Sequence, residues 1–241
     1  MFSGIKTLGM GMRGEGETDV YVCQDVGDVE ALHPYLSDPA FKALPIRELL
    51  DRQAQTLLAA HRSGDRRVKP QLGSWWPGAA RMPVDAMLSA PFTLDDARLT
   101  IAREYGFKHW AAVLATANRA PDGPFEAAVD ALVAGALTQL RRMLDADPRL
   151  VHARSCYGHR ATLLHYIGAN GVETHRQKTP LNAVEIARLL IERGADVDAK
   201  ADIYGGGQTA LGLVETSAHP AAAGVAGALA ALLNAAGGGR R

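Results

Sequence analysis

Cysteine is scarce in this chain. Cys23 and Cys156 are the only two and lie far apart, which argues against a disulfide scaffold and for a reducing compartment. Net charge is absent as well: Lys plus Arg number 26, as do Asp plus Glu, so no global field draws in nucleic acid or an anionic membrane. Long apolar runs are missing too. No stretch reaches the roughly 18 apolar residues that a bilayer span needs, and the first residues turn charged before a signal-peptide core is built. Neither nucleic acid nor membrane is therefore expected as a partner, the expected location is cytoplasmic, and any electrostatic recognition must be local. What is present is ordinary for a packed protein: 47% hydrophobic and 22% charged residues over 241 positions, enough for one large domain or two small ones.

Residues 1–19 read as a flexible glycine-rich leader. The run Gly9-Met-Gly-Met-Arg-Gly14 lacks the flanking strand and helix of a phosphate-binding loop, and acidic residues follow it. Val20-Tyr-Val-Cys23 fits a short strand, and Pro34 and Pro39 break up any long helix before residue 41. From Pro45, the residues Ile46, Leu49, Leu50, Ala54, Leu57 and Leu58 recur at helical spacing and predict a firm helix that stops at Ser63-Gly64. Residues 66–91 hold four prolines and the pair Trp75-Trp76, so an irregular connector packed by its aromatics is expected. Thr93 with Asp95 and Asp96 begins a further helix; Gly106 ends it, and Phe107, Trp110, Val113 and Leu114 drive another. The segment Arg119-Ala-Pro-Asp-Gly-Pro124 marks a boundary. It divides an N-terminal helical module, 1–120, from residues 125–237.

Beyond Pro124 a pattern of two short helices and a turn recurs, with pairs at 125–134 and 136–145, 162–169 and 182–193, and 209–215 and 223–235. One such pair cannot bury its own apolar side, so stacking on neighbours is the natural solution. Thr162-Leu-Leu-His165 and the run Val184-Glu-Ile-Ala-Arg-Leu-Leu-Ile-Glu-Arg-Gly-Ala-Asp-Val-Asp-Ala199 resemble the ankyrin-repeat family. Thr209-Ala-Leu-Gly212 is a weaker copy of the first motif, and residues 140–154 resemble the end of another repeat. The stretch 96–113 also resembles the helical segment that often precedes repeats in bacterial ankyrin proteins. The resemblance implies an all-α fold, an ankyrin-like helical repeat solenoid of about three repeats behind an N-terminal helical module that caps the first repeat. It also implies a habit of binding proteins.

The interval from Thr162 to Gly194 exceeds by about 11 residues the roughly 21 that a repeat of ~33 allows. The excess falls at 171–181, a shorter one at 216–224, and residues 202–208 enlarge the turn entering the last pair. Loops between first and second helices share one end of a stack, so the first two insertions are expected side by side. Tyr204 and its glycines are expected about 15 Å away, at the other end.

This arrangement predicts a polar surface of His175, Arg176, Gln177, Lys178, Ser217 and His219, with Tyr204 as a further candidate. Two functions compete for it. As a binding scaffold, the chain recognises a protein or a small acidic partner, with Arg176 and Lys178 donating to a carboxylate or phosphate. As a small-molecule enzyme, it uses His175 or His219 as general base, Ser217 or Tyr204 as hydroxyl participant and Arg176 as oxyanion stabiliser. No nucleophile motif singles out a catalytic residue. The histidines at 152, 159, 165, 175 and 219 form no closely spaced pair with an adjacent acid, so neither metal nor cofactor is expected. His165 is expected to be a buried hydrogen-bonder between adjacent repeats, and Cys156 to be structural.

Overall fold

The computed structural model describes residues 18–79 and 81–237, so the glycine run at 9–14 lies outside the described residues. Among them are fourteen α-helices and one two-stranded ladder, in which Val20–Tyr21 pairs antiparallel with Thr179–Pro180. No helix among the described residues is long and apolar enough to cross a membrane.

The helix Ile46–Arg62 buries all six residues of its apolar stripe. It packs against Leu94–Glu104, whose start is fixed by a reciprocal capping box: the Asp96 N–H donates to Thr93 Oγ1, and the Thr93 N–H to the Asp96 carboxylate. The connector expected at 66–91 is instead built of short helices, Lys69–Trp75 and Val84–Ser89 with 3₁₀ turns between and before them. Its prolines initiate rather than prevent them: Pro70 lies in the first turn of one and Pro83 just precedes the other, where a missing N–H costs nothing. Trp76 packs edge-on against Phe92 inside this half.

In the second half Asp122 caps the helix Gly123–Val133, which pairs with Leu137–Ala146. The next pair is Leu163–Tyr166 with Ala183–Glu192, and the last is Ala210–Thr216 with Ala226–Gly237. First helices pack on first helices and second on second, so each pair hides its apolar side on the next. His165 fastens the layers. Its Nδ1 accepts from the Thr162 N–H at 3.1 Å, so Nε2 carries the proton and donates to the carbonyls of Ala199 and Gln208 at 3.1 and 3.2 Å.

The segment at 171–181 does not wave in solvent. Val172, Glu173, Thr174 and Arg176 are buried, a 3₁₀ turn spans Thr174–Arg176, and the helix Gln24–Leu32 lies across it. The N-terminal half is therefore a lateral brace rather than a cap on the first pair. It reaches the first pair through Lys42 and Asp130, the middle insertion through Gln24–Leu32, and the last turn through Trp75, which lies near-parallel to Tyr204. Ring contacts across the junction include Trp75 with Tyr204, Tyr105 with Tyr157 and Tyr21 edge-on to His219.

Two apolar cores result, one within 32–113 and one within 125–233, with a single trespass: Cys156 and Tyr157 pack into the first. Their turn approaches so closely that the Gly158 N–H donates to the Tyr105 carbonyl at 2.9 Å. A Cβ on Gly158 would lie 2.4 Å from the Gly106 carbonyl carbon; one on Gly106, itself at φ +78°, would lie 2.2 Å from the His159 nitrogen. Gly158→Ala is accordingly expected to lower stability by about 2 kcal/mol or more, as backbone must shift to admit the methyl. Urea denaturation of the two proteins checks this.

Candidate functional site

Arg176 is the centre of the junction. Its guanidinium donates to the Glu126 carboxylate, to Asp130 Oδ1 at 2.9 Å and, from 3.5 Å, to Glu173 Oε1. Lys42 closes the chain of charges on Asp130 at 2.7 Å. Burial opposes the charge on Arg176, but the three carboxylates hold it protonated well above the ordinary value. Burial likewise opposes ionisation of Glu173, yet His159 and Arg176 outweigh it and bring its carboxyl down to about 2. His159 Nδ1 accepts from the Ala161 N–H, so its protonated Nε2 is the atom 3.6 Å from Glu173.

A second polar chain runs alongside. Glu104, with its carboxyl raised by burial, accepts from the Thr174 N–H at 3.0 Å and from Gln71 at 2.6 Å; Gln71 Oε1 in turn meets His33 Nε2 at 2.9 Å. Among these groups sits a cavity of about 20 Å³, lined in part by Tyr105, Glu126, Tyr157 and Arg176, with room for one water. Arg176 is held by three carboxylates around a space no larger than a water, although Glu126 Oε1, Glu173 Oε2 and Arg176 Nε have no hydrogen-bond partner among the described residues. The cluster is a clamp.

Wider spaces open on both sides of the brace: one of about 350 Å³ is lined by His33, Lys42, Asp130, His175, Arg176 and Lys178, and two more lie opposite. A chamber of about 240 Å³ is lined by Cys23, Asn170, Gln177, His219, Trp75 and Tyr204. Trp75 and Tyr204 also border a wider cleft of about 1060 Å³, whose walls carry Arg103, Lys108 and His109 on one side and Asp202, Gly205 and Gly206 on the other. Burial lowers the pKa of the His219 imidazole, with Asp25 opposing, and His219 Nδ1 has no hydrogen-bond partner among the described residues.

The expected surface is thus divided. Gln177, Tyr204 and His219 converge on the chamber. His175, Arg176 and Lys178 face the opposite side, where Arg176 is spent on the clamp and Lys178 pairs with Glu30. Burial, reinforced by Arg176, takes His175 down to about 3. Ser217 is buried as the cap of the helix Ala218–Ala222: its hydroxyl donates to the Ala169 carbonyl at 3.4 Å and accepts from the His219 N–H at 3.3 Å.

The two insertions come together at their edges: Asn170, just before the first, donates to Thr216, the first residue of the second, at 3.2 Å. Tyr204, expected about a helix length away, is beside them, its hydroxyl donating to Asn170 Oδ1 at 2.5 Å. The residue Gly171 makes this approach possible, since a Cβ there would lie 2.2 Å from Ile203 and 3.2 Å from the Tyr204 ring. Sequence reasoning missed Trp75, Arg103, Lys108 and Asn170 as site residues. Only the doubled tryptophan hinted at Trp75, since Trp76, extended just past the helix end, takes the place in the core. Compared with protein-family models, with curated proteins and with solved structures, the chain matches none.

The clamp and two buried histidines outside it, His33 and His165, each make a measurable contribution to stability. Arg176→Ala removes the cation paired with buried Glu126 and leaves Glu173 only His159 and Asp130 only Lys42, and is expected to cost about 3–5 kcal/mol in urea denaturation. His33 and His165 are each held by burial at about 4 against 6.5 when unfolded. Their contribution to stability is complete above pH 6.5 and lost as pH falls towards 4, by roughly 3 kcal/mol each. Unfolding free energies measured across that range should fall on acidification, and His33→Gln should remove its share of the slope.

Proposed function

We propose that this chain is an ankyrin-like binding scaffold whose N-terminal brace converts one side of an open stack into a walled cleft for a small acidic ligand. The layered helix pairs, the His165 bridge between layers and the family-like motifs at 162–165 and 184–199 support the scaffold. The cleft carries the ligand class. Its volume lies just above the range that small-molecule sites use, about 300–1,000 Å³, and it shares Trp75 and Tyr204 with the smaller chamber. Arg103 and Lys108 line it exposed and form no ion pair among the described residues, while Asp202 is the one acid on its walls. A carboxylate or phosphate entering there meets uncommitted cations and glycine backbone rather than satisfied partners.

The alternative reading, a small-molecule enzyme, is favoured by one observation: a thiol, Cys23, and an imidazole with a free ring nitrogen, His219, line the same chamber. Against it stands the commitment of Arg176 and Ser217 to structure, which removes the oxyanion stabiliser and one hydroxyl.

The test is thermal stabilisation by citrate and by inorganic phosphate. A hundredfold excess over Kd is expected to add about 2.7 kcal/mol, or roughly 5–10 °C in a chain of this size. Arg103→Ala/Lys108→Ala should abolish the response while leaving the unliganded midpoint in place. No response to either anion, or an equal response in the double variant, sinks the cleft as an anion site.

A further inference from the structure

Resting on the cleft as an anion site, we infer that its ligand is a planar aromatic anion, a ring bearing a carboxylate, sulfonate or phosphate, and that Trp75 and Tyr204 are the stacking platform. Tyr204 is 60% exposed, the most open of the large apolar side chains among the described residues. The ring joins the brace to the turn before the last pair through Trp75, yet more than half of it stays open beside the cleft.

Its backbone sharpens the point. Tyr204 sits at φ +51°, a region that non-glycine residues rarely adopt, and the strain costs of order 1 kcal/mol. The chain holds it there by placing Gly205, Gly206 and Gly207 behind it, all at positive φ. Nothing lies within 4 Å of a Cβ built on Gly205 or Gly207, so these glycines are not demanded by crowding. Gly205 and Gly206 line the cleft without a side chain and leave their peptide groups open to a ligand.

The ring itself is not loose. Its hydroxyl is tied to Asn170, one edge rests over Gly171, and its plane lies 8° from that of Trp75 with centroids 6.3 Å apart. Two parallel rings fixed before binding offer a flat partner a stacking surface with little ordering cost. Trp75 is half-buried, and its indole N–H, although shielded from solvent, has no hydrogen-bond partner among the described residues. Arg103 and Lys108 stand on the wall of the same cleft to take the charged substituent. A ring and an anion are therefore served by separate parts of one surface.

The experiment compares naphthalenesulfonate with methanesulfonate by isothermal titration on the full chain: the same charge, with and without a ring. The ring-bearing anion is expected to bind at least about tenfold more tightly, since stacking on an aromatic is worth about that factor or more. Tyr204→Ala and Trp75→Ala should each erase most of the advantage, whereas Tyr204→Phe, which keeps the ring, should preserve it. Equal affinity for the two sulfonates, lost in Arg103→Ala/Lys108→Ala, overturns the aromatic inference and leaves the anion site standing. A ring advantage that survives both alanine substitutions also overturns it, because the ring then sits elsewhere. Binding of neither sulfonate overturns the inference and the anion site together.

Discussion

A guanidinium cannot be withdrawn from water without partners, and Arg176 has three. Glu126 and Asp130 lie on the first helix of the first pair, and Glu173 on the inserted segment itself. That single set of ion pairs folds the segment 171–181 back onto the stack instead of releasing it as a loop. The folded segment then presents Thr174 to Glu104 and the backbone at 179–180 to the strand Val20–Tyr21, which is how the N-terminal half gains its long seat. Buried charge of this kind adds little net stability compared with apolar packing, but it tolerates few alternative arrangements. Its effect here is one of geometry: it decides where the brace lies, and so where the cleft opens.

The cleft belongs to neither half alone. Trp75, Arg103 and Lys108 come from the brace, and Tyr204, Asp202 and the glycines from a turn between helix pairs. Two polar seams hold these walls at a fixed spacing, one through Arg176 and one through Glu104, Gln71 and His33. Burial keeps His33 and His165 neutral, so both the brace and the layering depend on histidines that acid would charge.

Local features were readable in the residues. The apolar stripe from Ile46 to Leu58, the Thr93 cap, the left-handed Gly106 and the helix pairs after Pro124 all follow from spacing and end signals within one element. The prolines at 70, 77 and 83 are ambiguous in sequence, because a proline that breaks an interior turn starts a helix when it lies in or before the first one. The junction was not legible. Glu104, Glu126 and Asp130 look like solvated positions on helix faces, and Arg176 sits in a run of polar residues; nothing local says that they meet in the interior. Ion pairs separated by 46 and 50 positions leave no periodic trace. Tyr204 was misplaced for a related reason: an enlarged turn was assigned to one end of the stack, while Gly171 lets it fold towards the other insertion.

The trespass of Cys156 and Tyr157 into the first core bears on the order in which the chain can mature. During synthesis the N-terminal helices emerge first, yet the slot beside Tyr105 stays unfilled until residue 157 has left the ribosome. The first half is thus finished by a plug that the second half supplies, and the proline-bearing link at 119–124 is a hinge in sequence only. A chain cut there would yield one piece with a hole and another with a stranded ring.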